Sequence, residues 1–223
     1  MEGWPAHLRV ISQAVTDWWD DLVNLAIINV IWIVCWLTII LGPPATLGIY
    51  HVTNRLAHGE SLGPRGLWDG GRRYFFQSWL LMLLNLAAVA IILLNFWFYA
   101  AVEETWADLV KAFFVLLGVG WLIVQFYALP YLMEQERKNV GLALRNGLFN
   151  ALAAPGYTLV VFGFAVLVVG LSVGLVFPLL LGGPCLVAAV GNHAVIERLE
   201  TYGVRERGAV IGETETPRDS NST

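Results

Sequence analysis

Two short groups of residues have types and spacing that could do chemistry. His51, Asn54 and Arg55 stand three and four positions apart, so on a helix they share one face. Asn192 and His193 are adjacent near the other end of the chain. Two histidines at one depth, with an arginine and two amides, can hold a proton or an anion, or register pH. The same side chains at a bilayer surface would reach to water by their polar tips, with no further role. Two histidines without a carboxylate in the neighbouring apolar segments make a poor metal site. The sequence offers no nucleophile–base pair, no paired carboxylates within an apolar run and no metal-ligand spacing. A non-enzymatic protein without a cofactor or metal is therefore expected. Cys35 and Cys185 read as buried free thiols.

The elements that position these groups follow from where charge is missing. Of 223 residues, 57% are hydrophobic and 13% charged, against about 25% charged in a soluble domain. That composition argues against a soluble enzyme, a nucleic-acid-binding domain and a disordered chain. No Asp, Glu, Lys or Arg occurs in 22–54, 74–102, 112–133 or 146–196, runs of 33, 29, 22 and 51 residues. A helix needs about 20 apolar residues to cross a bilayer. An all-α, polytopic membrane bundle is expected, and the absence of period-2 alternation argues against a β-barrel.

The longest and the second-longest run are each broken, at Gly42-Pro43-Pro44 and at Gly182-Gly183-Pro184. Glycine and proline stop one helix, and proline in a first turn starts the next. About six segments result: 21–41, 44–58, 78–101, 109–132, 156–177 and 184–199. The piece over 44–58 is short for a full crossing, and a re-entrant helix fits as well. Six crossings put twelve Lys and Arg on one side, leaving only Lys111 on the other, beside Glu103, Glu104 and Asp108. Four crossings would split the basic residues 7 to 6. The positive-inside rule selects six, with both termini cytoplasmic.

Leu41-Gly42-Pro43-Pro44-Ala45 aligns with Leu181-Gly182-Gly183-Pro184-Cys185 at a shift of 140, which reads as a repeated helical hairpin. The central pair of segments lies between the two hairpins. Residues 1–20 carry Leu8, Ile11, Val15 and Trp18 at helical spacing, the pattern of an amphipathic helix on the membrane surface. Residues 59–77 and 134–154 look like interfacial helices between spans. Arg72-Arg73-Tyr74-Phe75-Phe76 reads as an orientation signal with an aromatic belt, or as a contact for anionic lipid. Residues 203–223 are polar and read as a disordered cytoplasmic tail, leaving 21–202 as the membrane domain.

Asn24, Asn29, Thr38, Asn85, Asn95, Gln125 and Ser172 join Asn192 and His193 as polar groups in apolar segments. Such groups either hydrogen-bond a neighbouring helix or line a polar path.

Asn29-Val30-Ile31-Trp32, followed by Gly42-Pro43-Pro44-Ala45-Thr46, Tyr50, Arg55-Leu56 and Gly59-Glu60, resembles the YesL-like family of small bacterial membrane proteins. Asn29, Trp32, Pro44, Ala45 and Thr46 carry the motif, and the resemblance covers about residues 22–79. It implies a multi-pass protein of the bacterial inner membrane. Members are often encoded beside carbohydrate ABC importers and polysaccharide-degrading enzymes. The family brings no catalytic residues. Two functions are therefore weighed. One is an accessory or scaffold protein whose partners are the bilayer and an ABC transporter or another membrane protein, with no nucleic acid. The other is a small-solute transporter or channel, with His51, Asn54, Arg55, Asn192 and His193 between the two broken hairpins.

Overall fold

The computed structural model describes residues 4–102, 104–175 and 177–203. Every regular element among them is helical. The chain begins with α1 (Ala6–Asp20) and α2 (Leu22–Leu37), and α3 (Gly42–Ala57) follows a four-residue turn. Next come the short α4 (Pro64–Arg73), the long α5 (Phe75–Ala100) and α6 (Thr105–Glu134), and then α7 (Val140–Ala153). The last elements are α8 (Pro155–Leu175), the single turn α9 (Phe177–Leu180) and α10 (Gly183–Thr201). The expected tail falls almost wholly outside the described residues.

Local chemistry explains the boundaries. Prolines occupy the first turns of α3, α4 and α10, where a missing N–H costs nothing. Gly182, just before α10, has φ +98°, a backbone region that glycine enters freely. The turn into α3 is less relaxed. Ile39 has φ +60°, a conformation unusual for a β-branched residue.

Three helices are long and apolar enough to cross a membrane: α5, most of α6, and α8, with mean hydropathies of 2.3, 2.1 and 2.5. A fourth crossing arises if α1 and α2 count as one broken span, although they meet at 87°. This is fewer than the six segments expected. The reason lies in α3, which is short, and in α10, which carries Glu197, Arg198 and Glu200 in its last turns; both are surrounded by protein. Pro44, Leu47, Val52 and Asn54 of α3 are buried, as are Cys185, Val190, Asn192 and Val195 of α10. These two helices pack on each other and form the centre of the molecule. In contrast, α5 is nearly bare, with 6% of its most apolar window buried. Leu83, Leu86, Leu93, Leu94 and Trp97 all project outward from it. A surface of that kind requires lipid or another apolar partner.

Small residues bring the helices close. In α4, Gly66, Gly70 and Gly71 face α3, while Gly48 of α3 faces the Leu67 carbonyl. A Cβ at Gly147 of α7 would stand 2.8 Å from the Val124 carbonyl oxygen of α6. The first helix docks across α10 through Val10 and Ala14. Trp18 continues this stripe and packs against the core, whereas Leu8 and Val15 are left exposed.

Candidate functional site

The α3–α10 contact is polar at its centre. Asn192 Nδ2 donates to Thr53 Oγ1 at 2.9 Å and to the Tyr50 carbonyl at 3.3 Å. Thr53 Oγ1 in turn donates to the Ile49 carbonyl at 2.9 Å. Asn54 Nδ2 donates to Asn192 Oδ1 at 3.4 Å and to Glu134 Oε1 at 2.6 Å. Glu134, at the end of α6, also faces His58 Nε2 at 3.4 Å. His58 Nδ1 lies 2.8 Å from the Asn54 carbonyl. A carbonyl only accepts, so Nδ1 carries a hydrogen there. Thr53, Asn54 and Asn192 are all buried, which makes their mutual hydrogen bonds a condition of burial.

Two cavities flank this contact. One, of about 600 Å³, has His51, Asn54, Arg55, Arg73, Tyr74 and Lys138 among its lining residues. The other, of about 520 Å³, has Arg9, Gln13, Asp17, His193 and Glu197. The structure thus gathers His51, Asn54 and Arg55 around one space and joins Asn54 to Asn192. It places His193 elsewhere, with Nε2 donating to Asp17 Oδ2 of α1 at 2.8 Å. Arg9 of α1 pairs with Glu197 at 3.1 Å on the same seam. Successive helix residues point about 100° apart. Once Asn192 faces α3, His193 must face α1.

The first cavity is basic. The Tyr74 ring lies 5.9 Å from the His51 ring, 5.8 Å from the Arg73 guanidinium and 5.8 Å from Lys138 Nζ. Arg55 reaches Glu60 at 3.3 Å. Lys138 Nζ donates to the Met133 carbonyl at 2.7 Å, closing the end of α6. Burial holds the Lys138 ammonium below the ordinary lysine range, and Arg73 and Arg55 push the same way against Glu134. Burial holds the Tyr74 phenol above its ordinary range, so it remains a hydrogen-bond donor at neutral pH. Arg73 and Tyr74 belong to the segment read as an orientation signal or anionic-lipid contact, and Lys138 to the mixed-charge segment 134–154. Neither segment signals that the two meet around one cavity.

The motif residues have structural work. The indoles of Trp32 and Trp36 donate to Thr46 Oγ1 at 3.0 and 3.2 Å, and that hydroxyl donates to the Gly42 carbonyl at 3.0 Å. The α2–α3 hairpin is closed by this clamp, with Pro44 and Ala45 buried beneath it. Asn29 Nδ2 donates to the Leu179 carbonyl, tying α2 to the break before α10. Gly182 at that break accepts from Trp18 Nε1 at 3.1 Å. Of the other polar groups in the apolar segments, Gln125 and Ser172 are buried without a side-chain hydrogen bond among the described residues, and several others bond within or between helices. Asn85 Oδ1 accepts from Trp121 Nε1 at 2.9 Å, and Asn95 donates to its own helix at Ile91. Asn24 donates to Asp21 and to the Leu62 carbonyl, and Thr38 to the Cys35 carbonyl. Among the described residues, no group of three or more His, Cys, Asp and Glu is placed to hold a metal.

Comparison with protein-family models, curated proteins and solved structures finds no match for this chain.

Proposed function

We propose that the chain is a non-enzymatic, multi-pass protein of a bacterial inner membrane, acting as an accessory or scaffold component. The observation that carries this reading is how the buried polar groups are spent. Thr53, Asn54 and Asn192 are committed to hydrogen bonds that lock α3, α6 and α10 together, and Asn29 ties α2 to α9. That is the chemistry of a rigid core with bare apolar helices around it, suited to standing in lipid and contacting other membrane proteins. A transport site between the two hairpins would need His51 and His193 to share a chamber. They line different cavities instead, on either side of the Asn54–Asn192 contact, so the accessory reading is preferred.

The arrangement of ends supports the orientation read from the basic residues. Arg55, Arg73, Lys138 and Arg198 all stand where helices end near Glu134, Tyr74 and Asn150. Lys111 pairs with Asp108 at the opposite end of α6. In this proposal the basic end faces the cytoplasm with both termini, and α3 and α10 complete six segments as shielded inner helices. The YesL-like motif adds an association with carbohydrate ABC import. Crosslinking with mass spectrometry in native membranes tests the role. The expected result is crosslinks from the basic end to a subunit of a carbohydrate importer, with reduced sugar uptake in a deletion strain. Recovery without such a partner, together with unchanged uptake, overturns it.

A further inference from the structure

We propose that the basic cavity between α3, the α4–α5 corner and the loop after α6 binds a phosphate ester, carried on a lipid headgroup or on a soluble molecule. Cationic side chains reach it from three separate segments: Arg55 from α3, Arg73 from α4 and Lys138 from the loop before α7. His51 and the Tyr74 hydroxyl-bearing ring complete the wall, with Tyr74 at 5.8–5.9 Å from His51, Arg73 and Lys138. Among the described residues, no salt bridge joins Arg73 or Lys138 to a carboxylate. Glu134 is engaged by Asn54 and His58, and Glu60 by Arg55. Glu136 remains as the other acidic lining residue. Bringing like charges together in a half-buried space is unfavourable unless something negative enters; the Lys138 ammonium is depressed first by burial and then by Arg73.

The donor set favours phosphate over a simple halide or a lone carboxylate. Two guanidinium forks and an ammonium present more directed donors than a carboxylate can use, whereas a phosphate monoester offers three terminal oxygens and a phosphodiester headgroup two, with a delocalised charge. The cavity holds about 600 Å³, room for the group that the ester carries. Its position fits a headgroup, because Tyr74 precedes the first residue of α5 and Glu134 is the last of α6, two bilayer-length apolar helices. The inference is independent of any accessory role and of a transporter partner.

The test uses the full purified chain. In native mass spectrometry, the protein is titrated with phosphatidylglycerol and, separately, with phosphatidylcholine. In calorimetry, it is titrated with glycerol 3-phosphate. Arg73→Gln with Lys138→Gln should weaken binding by at least about tenfold, the loss expected when a charge-assisted contact is removed. Arg145→Gln is the control, since Arg145 lies over Phe149 and is not among the residues that line the cavity. Preferential retention of phosphatidylglycerol alone assigns the site to lipid headgroups. Binding of glycerol 3-phosphate assigns it to soluble esters. If the double variant does not fold, Arg73→Lys keeps the charge, loses the fork, and should bind several-fold more weakly. No binding of either probe, or binding equally sensitive to Arg145→Gln, overturns the proposal.

Discussion

Gly48 is where the α3–α4 crossing is tightest, and Gly48→Ala tests whether that crossing holds the basic cavity in shape. An added Cβ would lie 2.4 Å from the Leu67 carbonyl oxygen and 2.9 Å from Leu67 Cδ1. The nearer atom is backbone, so rotating a side chain gives no relief. Restoring an ordinary contact of 3.4 Å requires α4 to move away by about 1 Å. A gap of that size forfeits a quarter to a half of the dispersion well for atoms along the interface. Overpacking of this kind costs about 1–3 kcal/mol. Replacing helical glycine by alanine returns up to about 1 kcal/mol in propensity. The net expectation is a loss of about 1–2 kcal/mol, which changes the ratio of folded to unfolded protein by about 5–30-fold. Gly120→Ala in α6 is the matched control, because nothing lies within 4 Å of its added methyl group. Thermal unfolding in one detergent, followed by tryptophan fluorescence, compares the two. Because α4 ends at Arg73, beside Tyr74, the displacement should also weaken glycerol 3-phosphate binding. A Gly48→Ala protein as stable as Gly120→Ala, with unchanged binding, would refute the reasoning.

Three further outcomes are expected. Thr46→Val removes the hydroxyl that accepts from both Trp32 and Trp36; a loss of about 1–2 kcal/mol in detergent unfolding is expected from two unmade bonds, and no change would deny the clamp. Asn192→Ala removes the donor to Thr53 and Tyr50 and the acceptor for Asn54; polar contacts between membrane helices average about 0.6 kcal/mol with a maximum near 1.7, so a loss of about 1–3 kcal/mol including the cavity is predicted by the same assay, and a stabilised variant would contradict it. Phosphate-ester binding should fall as pH rises toward the ordinary lysine value of 10.5, because the Lys138 ammonium loses its proton below that value while the raised Tyr74 phenol keeps its own; calorimetry that shows flat affinity up to that pH removes Lys138 from the site.

Much of the helical framework is legible in the charge pattern, because an apolar run long enough to cross lipid has few alternatives. The breaks at Gly42-Pro43-Pro44 and Gly182-Gly183-Pro184 are visible for a similar reason, since proline and glycine have strong backbone preferences. The 87° turn between α1 and α2 is not visible. It falls at Asp20-Asp21, with neither proline nor glycine to mark it. Nor does hydropathy distinguish a helix that faces lipid from one that faces protein. The sheltered position of α3 and α10 at the centre is therefore a matter of packing that the apolar runs do not show. The site was partly legible. Spacing of three and four placed His51, Asn54 and Arg55 around one cavity. Pairing Asn192 with His193 by adjacency could not work, because neighbours on a helix face different directions. The His58–Glu134 pair spans helix ends far apart in the chain, and only the packing of α3 against α6 brings them together.

The central claim is a membrane-embedded bundle with its basic end inward. Single cysteines placed at Glu104 and Arg137, in a Cys35→Ser, Cys185→Ala background, test it in intact bacterial cells with a membrane-impermeant maleimide. The account predicts labelling at position 104 in whole cells, and at position 137 only after lysis. Labelling at 137 in intact cells, or recovery of the protein in the soluble fraction, would contradict it.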